Sequence, residues 1–457
     1  MLRIGSGAGY AGDRIGPAID VADRGEVGAI AFECLAERTI ALAQIAKRED
    51  PSAGYGQFLH ERMEAMLPFV AAGGLSMVTN LGAANPLAAM HETRQLAAEA
   101  GYGDTPIAAI TGDDVLEQVL DADPVVWETG RPVGELEKRL LSANAYLGVE
   151  AVLPALEAGA AIVIGGRIAD PSLFLAPMVH HHGWRLDDWH RLGAATAIAH
   201  LLECSAQVCG GYFADPGFKD VDDLVDIGYP IAEVHADGTG VITKVAGTGG
   251  MVTPQTCKEQ LLYEVGDPRS YLTPDVTADF SQVTLESVGA DRVAVTGGTG
   301  SRRPEQLKVT LGVESGYVGE GEISYAGPNA LARARLAADV AAERIRRWGI
   351  AADDLRVELI GVDATLAGWV PPPRGEPTDV RVRIAGRSDD RRTASRIGEE
   401  VEALYLTGPA GGAGATSRVK PVIAACSTLI DRGRLDVRTH VEAPSDRGVT
   451  GVTRVRS

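Results

Sequence analysis

Glycine stands beside a carboxylate, a guanidinium or an amide at nearly every point where a short β-rich run gives way to a helical pattern. Gly5-Ser6-Gly7-Ala8-Gly9-Tyr10-Ala11-Gly12-Asp13-Arg14 follows the first such run, Glu33-Cys34 the second and Asn80-Leu81-Gly82 the third. Gly112-Asp113-Asp114 follows the fourth, and Gly165-Gly166-Arg167-Ile168-Ala169-Asp170-Pro171-Ser172 the fifth. Carboxylates are the groups of general acid–base work, arginine forks hold anions, and amides freed by glycine stabilise developing negative charge. Ligands of open α/β sheets sit beyond the carboxyl ends of the strands. Asp13, Arg14, Glu33, Asn80, Asp113, Arg167 and Asp170 are therefore expected to line one cleft.

Among these, Glu33 is the first candidate for a catalytic base. It closes the apolar run Ala29-Ile30-Ala31-Phe32, and burial raises a carboxyl pKa toward neutrality. Asp113 is the next candidate, with Asp13 and Asp170 beside it. Arg14 or Arg167 would hold a substrate carboxylate, with Asn80 and the backbone of Gly7, Gly9 and Gly166 completing the binding set. Plainer roles compete: Asp13 as a helix cap, Asp114 as a helix start, Asp170-Pro171-Ser172 as a cap followed by proline, and Glu33 as the structural partner of an arginine.

The same carboxylates, with Asp114, leave a divalent cation such as magnesium open as a cofactor, though no metal ligands are assigned. Gly7, Gly9 and Gly12 satisfy G-x-G-x-x-G, with Glu33 beyond them. NAD is nevertheless disfavoured, because the preceding run is short, Asp13 occupies the helix start and Gly16-Pro17 interrupts the helix. His180-His181-His182 reads as a solvated or capping run, since consecutive helical side chains point apart. His200, Glu203 and Cys204 share one helical face by their i, i+3, i+4 spacing, which packing or acid–base work would each explain.

The elements that must position these residues follow from periodicity. Runs at 2–4, 29–33, 75–79, 107–110 and 160–164 alternate with helical patterns at 13–23, 35–48, 58–71, 88–99, 114–120 and 149–157. That rhythm predicts an α/β fold with a mostly parallel sheet flanked by helices. From about Gly210 the texture turns to loops and hairpins, with strands at 230–235 and 241–245. A long helix at 329–348, strands at 356–362 and 380–384, a helix at 393–405, a Pro371–Pro373 loop and a flexible glycine-rich loop at 408–416 make α+β material. The expected domains are residues 1–325, and a smaller α+β domain over 326–457 whose polar tail frays beyond Val441.

The chain has 457 residues with 43 basic and 62 acidic side chains, a net charge of −19 that repels nucleic acid. Hydrophobic residues make up 45% and charged ones 23%, the balance of a globular protein. No apolar run has the roughly 18–20 residues that a membrane span needs. The five scattered cysteines and the lack of an apolar leader suit a reducing cytoplasm. A homodimer is the expected assembly.

Several stretches are specific enough to identify relatives. Arg3 to Arg14, Phe32-Glu33-Cys34-Leu35-Ala36-Glu37-Arg38-Thr39, Gly165 to Ser172 and His200-Leu201-Leu202-Glu203-Cys204 resemble the acyclic terpene utilisation AtuA family. So do Gly210 to Gly217, Glu259 to Glu264 and Tyr271 to Val276, so the resemblance covers most of the chain. It implies metabolic work on branched terpenoid alcohols, whose breakdown passes through carboxylated acyl-CoA thioesters. Larger members append a small ferredoxin-like domain, which this chain is expected to lack. The resulting expectation is an enzyme, of the lyase, hydratase or isomerase kind, that acts on an organic acid or acyl-CoA by carboxylate-mediated proton transfer. The alternative is a non-catalytic subunit that binds such an intermediate for a partner enzyme.

Overall fold

The computed structural model describes residues 1–351, 354–366, 369, 375–442 and 450–454. The chain divides into two compact units, Met1–Gly312 with Ala425–Ser457, and Val313–Ala424. In the first unit the elements run β1 (Leu2–Ala8), α1 (Gly16–Arg24), β2 (Ala29–Phe32), α2 (Glu37–Glu49), α3 (Leu59–Ala71), β3 (Ser76–Thr79), α4 (Pro86–Glu99) and β4 (Ile107–Thr111). They continue with α5 (Leu116–Ala122), β5 (Leu140–Ala145), α6 (Val149–Glu157), β6 (Ile162–Ile164), α7 (Asp170–His182) and α8 (Trp189–Glu203). A hairpin of β7 (Pro230–Val234) and β8 (Gly240–Lys244) and the helix α9 (Pro254–Leu262) follow.

The centre of the 11-stranded sheet has the order β1-β2-β3-β6-β4, and these five strands are parallel. Their apolar runs split between two cores, as burial on both faces requires. Ala29 and Ala31 face Phe174, Ile198 and Leu201 of α7 and α8, whereas Ile30 and Phe32 face Met63, Met66 and Met90 of α3 and α4. Parallel pairing stops at both margins. β7 runs antiparallel to β1 and β8 antiparallel to β7, while Arg438–Glu442 runs antiparallel to β4 on the far side. The sheet expected to be mostly parallel is thus parallel only at its centre. Hairpins have no crossover helix and pair antiparallel, which is how they fill the two margins.

β1 extends to Ala8, well past the run expected to end at Ile4. Gly5 and Gly7 therefore lie inside a strand paired on both sides, and their missing side chains let Val21 of α1 and the Phe32 ring press against it. Of the pattern that reads as a nucleotide loop, Gly7 thus lies at the end of the strand, at an irregularity of the β1–β2 register, and Gly9 and Gly12 lie in the turn that follows.

The second unit alternates strand, helix, strand, strand, helix, strand: Gln306–Ala326, Ala330–Arg347, Leu355–Ile360, Asp379–Ser388, Arg391–Glu402 and Ala413–Asp431. Its strand order is Leu355–Ile360, Asp379–Ser388, Gln306–Ala326, Ala413–Asp431. This is the split β-α-β arrangement of ferredoxin-like folds, so a unit of that topology lies within the chain although none was expected. The domain boundary read near residue 325, with everything after it in one domain, differs from this division, because the segment from Ala425 returns to the first unit. The glycine-rich stretch at 408–416 runs directly into the strand Ala413–Asp431. Part of the tail expected to fray forms the strand Thr450–Arg454, paired with Arg438–Glu442. Pro371–Pro373 and the rest of that tail lie outside the described residues.

Candidate functional site

A cleft of about 720 Å³ opens beyond the carboxyl ends of the central strands. Asp13, Glu33, Arg167 and Asp170 line it, with Gly9. Another depression, of about 410 Å³ and lined by Arg185, Leu186, Asp187, Trp189 and Arg303, is open to solvent and collects none of the strand-end residues.

Glu33 directly follows β2, and its amide still donates to the Ala8 carbonyl, 3.1 Å away. The side chain is buried, at 8% exposure. Its Oε1 accepts from the Leu35 amide at 2.8 Å and from Asn80 Nδ2 at 3.1 Å, so Oε2 carries the carboxyl's remaining capacity. Asn80, after β3, also accepts from the Cys34 amide at 2.7 Å and pins the turn that presents Glu33. Burial, reinforced by the charge of Asp170, holds the Glu33 pKa well above the carboxylate range, against Arg167 and the two amide donors.

Arg167 follows β6 and is almost fully buried, at 1% exposure. Its guanidinium donates to Asp170 Oδ1 and to the Leu35 carbonyl and lies 4.2 Å above the Tyr146 ring. Asp170 begins α7 with proline behind it. Burial pushes its pKa up to about 7; Arg167 opposes the rise, and Glu203, Glu37 and Glu264 add to it. Because 37% of that side chain remains open to the cleft, water moderates the shift.

Asp113 sits behind the floor, not in the cleft. Its Oδ2 accepts from the Arg167 amide at 2.8 Å and from Asn144 Nδ2 at 3.0 Å, and burial raises its pKa to about 6. Gly166 makes room for it, since a Cβ there would come within 2.5 Å of the Asp113 carboxyl oxygens. Asp13 does not cap α1, whose N-cap is Ile15. It closes its own turn instead, accepting from the Gly9 amide at 2.9 Å and from the Tyr229 hydroxyl at 2.5 Å. Arg14 is exposed and donates to the Val225 carbonyl at 2.9 Å, so the structure does not bring it to the cleft. Gly7 packs against Phe32, and the Gly9 amide is occupied by Asp13. The Gly9 amide is then not free for an oxyanion. Asp114 is held by Gln44 Nε2 at 3.0 Å. Among the described residues, no group of three or more His, Cys, Asp or Glu side chains is arranged to hold a metal ion.

The far wall adds residues that the strand-end argument missed. Glu37, in the first turn of α2, accepts from the Tyr146 hydroxyl at 2.6 Å, and Lys308 Nζ lies 3.6 Å from Glu37. Tyr212, Tyr263 and Glu264 also line the cleft, as do Glu203 and Cys204 from the end of α8. Burial pushes the Cys204 thiol well up, which makes it a poor nucleophile. Glu37 lies four residues after Glu33, and Glu264 ends one of the recognisable stretches; those were the available signals. Nothing local marks Tyr146 or Lys308.

The model of the acyclic terpene utilisation family protein AtuA matches residues 2–441. The chain belongs to that family. No curated protein matches this AtuA-family chain. Among solved structures, a de novo designed protein, Foldit4, aligns at 16% identity over 23% of this chain and 94% of its own, with a TM-score of 0.16, too low to carry weight. Family membership associates the protein with acyclic terpene utilisation. No helix among the described residues is long and apolar enough to cross a membrane.

Proposed function

We propose that this AtuA-family protein is an enzyme of branched, terpenoid-type acyl metabolism that moves protons to and from a carbonyl-activated substrate through Glu33 and Asp170. The observation that carries the reading is the pairing of two raised carboxyls in one cleft, of which Asp170 is directly ion-paired with Arg167 while Glu33 feels that charge only from a distance. Environments that push two carboxyls apart assign the acid and the base. We assign the proton to Glu33, whose direct donors are amides alone, and the ionised role to Asp170, which is ion-paired with Arg167. This reverses the role that the sequence suggests for Glu33.

Written as a hydration, Asp170 takes a proton from water as the water oxygen bonds to the alkene carbon β to the carbonyl. Glu33 delivers its proton to the α carbon, so that one water is added. Cleft water then returns the proton from Asp170 to Glu33. Isomerisation uses the same pair without water addition, and C–C cleavage uses it to protonate the departing carbon.

The test incubates the protein in D₂O with branched α,β-unsaturated acyl thioesters and follows mass gain. Glu33→Gln should unfold like the parent and lose about 10²-fold or more of the exchange. Exchange that survives the substitution would remove Glu33 from the mechanism, and thioester binding without any exchange would favour the carrier subunit.

A further inference from the structure

Glu203 closes α8 with its side chain only 7% exposed, yet it lines the cleft. Its Oε1 lies 2.5 Å from His200 Nδ1, one turn back, while its Oε2 is buried with no hydrogen-bond partner. His200 is itself fixed: its ring packs against Tyr271 at 5.1 Å and Phe280 at 5.7 Å between centroids, and Gln260 of α9 donates to its carbonyl at 3.0 Å. The carboxyl therefore cannot swing away to satisfy itself. A buried acceptor held in place without a donor is costly, and a ligand hydroxyl inserted from the cleft on binding, where free solvent does not reach Oε2, would supply that donor.

The charges around it say what else the ligand carries. Six carboxylic side chains line the cleft (Asp13, Glu33, Glu37, Asp170, Glu203 and Glu264) against two cations (Arg167 and Lys308). Both cations are engaged, Arg167 with Asp170 and Lys308 with Glu37. A ligand carboxylate entering here meets like charge with no free counter-ion.

We infer that Glu203, anchored by His200, is the specificity-determining acceptor of the cleft, and that it selects a ligand whose inner end is hydroxylated and uncharged, such as a 3-hydroxyacyl ester or thioester rather than the free hydroxy acid. This rests on the proposed function only in taking the cleft as the ligand site. It names the substrate class that a hydration would yield or a dehydration consume.

The test is binding, measured by calorimetry on the whole protein near neutral pH without reference to turnover. The probes are methyl 3-hydroxydecanoate, methyl 3-oxodecanoate, which is nearly the same size but only accepts, and the free 3-hydroxydecanoate. The hydroxy ester should bind roughly tenfold or more tighter than either of the others, the scale of one buried hydrogen bond. In Glu203→Gln the amide oxygen faces His200 and the amide nitrogen takes the Oε2 place, so a donor replaces the acceptor. The preference over the ketone should then vanish or invert. Equal binding of hydroxy and oxo esters to the parent protein, or tighter binding of the free acid, overturns the inference whether or not the variant folds. Exchange chemistry at Glu33 can survive that result, and hydroxyl selection can survive the failure of exchange, so the two readings fail separately.

Discussion

Removing the Asp113 carboxyl should show how the cleft floor is held. Its pKa rises from the ordinary 3.8 to about 6 in the folded protein, chiefly through burial. At about 1.4 kcal/mol for each tenfold change in proton affinity, that gap is about 3 kcal/mol. Below pH 4 both folded and unfolded chains bind the proton and the full stability is present. Between about pH 4 and 6 the unfolded chain gives up its proton while the folded one keeps it, so stability falls as pH rises. Above that window both are ionised and the loss stays constant. Asp113→Asn removes the titration. Because both accepted bonds fall on Oδ2, one amide oxygen preserves them. The variant's stability, taken from urea unfolding at half-unit pH steps, should therefore gain on the parent by up to about 3 kcal/mol between pH 4 and 7. Asp113→Ala should instead lose about 2–5 kcal/mol at every pH, since the Arg167 amide and Asn144 Nδ2 are then unpaired in the core. Parallel pH–stability curves for the parent and Asp113→Asn would refute the reasoning.

Substitutions at two further positions probe supporting structure. Asp275 accepts from the Val149 amide at 2.7 Å and from Ser172 Oγ at 2.5 Å, tying α6 to α7; Asp275→Ala should cost about 2–4 kcal/mol in urea unfolding, and Asp275→Asn distinctly less. In the second unit a Cβ at Gly319 would run into the carbonyl of Ala394, so Gly319→Ala should destabilise by about 3 kcal/mol or more, with amide exchange accelerating first within Val313–Ala424.

The sequence made the central strands legible because burial on both faces leaves apolar runs such as Ile30-Ala31-Phe32 and Ile162-Val163-Ile164. Helices α1 to α6 follow from amphipathic spacing to within a few residues. Strand direction at the margins was not legible, since periodicity fixes which face a residue takes but not which neighbour its strand finds. β5 escaped notice because Ser-Ala-Asn-Ala within it lacks branched or aromatic weight, and it pairs with the strand Gln306–Ala326 instead of the main sheet. At the site, Asp13, Glu33, Arg167 and Asp170 converge as strand ends should, and Asn80 and Asp113 stand directly behind them. Arg14 does not, because the stretch before it continues as strand and turn and directs that side chain outward. Tyr146 and Lys308 come from segments that meet the cleft only after folding, and no local pattern marks them.

The return of the chain to the first unit also governs the order in which the protein can be completed on the ribosome. β4 is an apolar strand whose outer edge is covered by Arg438–Glu442, with Arg94 of α4 holding Glu442 at 2.8 Å. Those residues are made only after the whole of Val313–Ala424. Until then Ile107–Thr111 offers an unpaired edge, the kind of surface that recruits other strands. The nascent first unit thus carries an open seam while more than a hundred residues are synthesised, and a chain that stops short of Arg438–Glu442 would keep that seam for life.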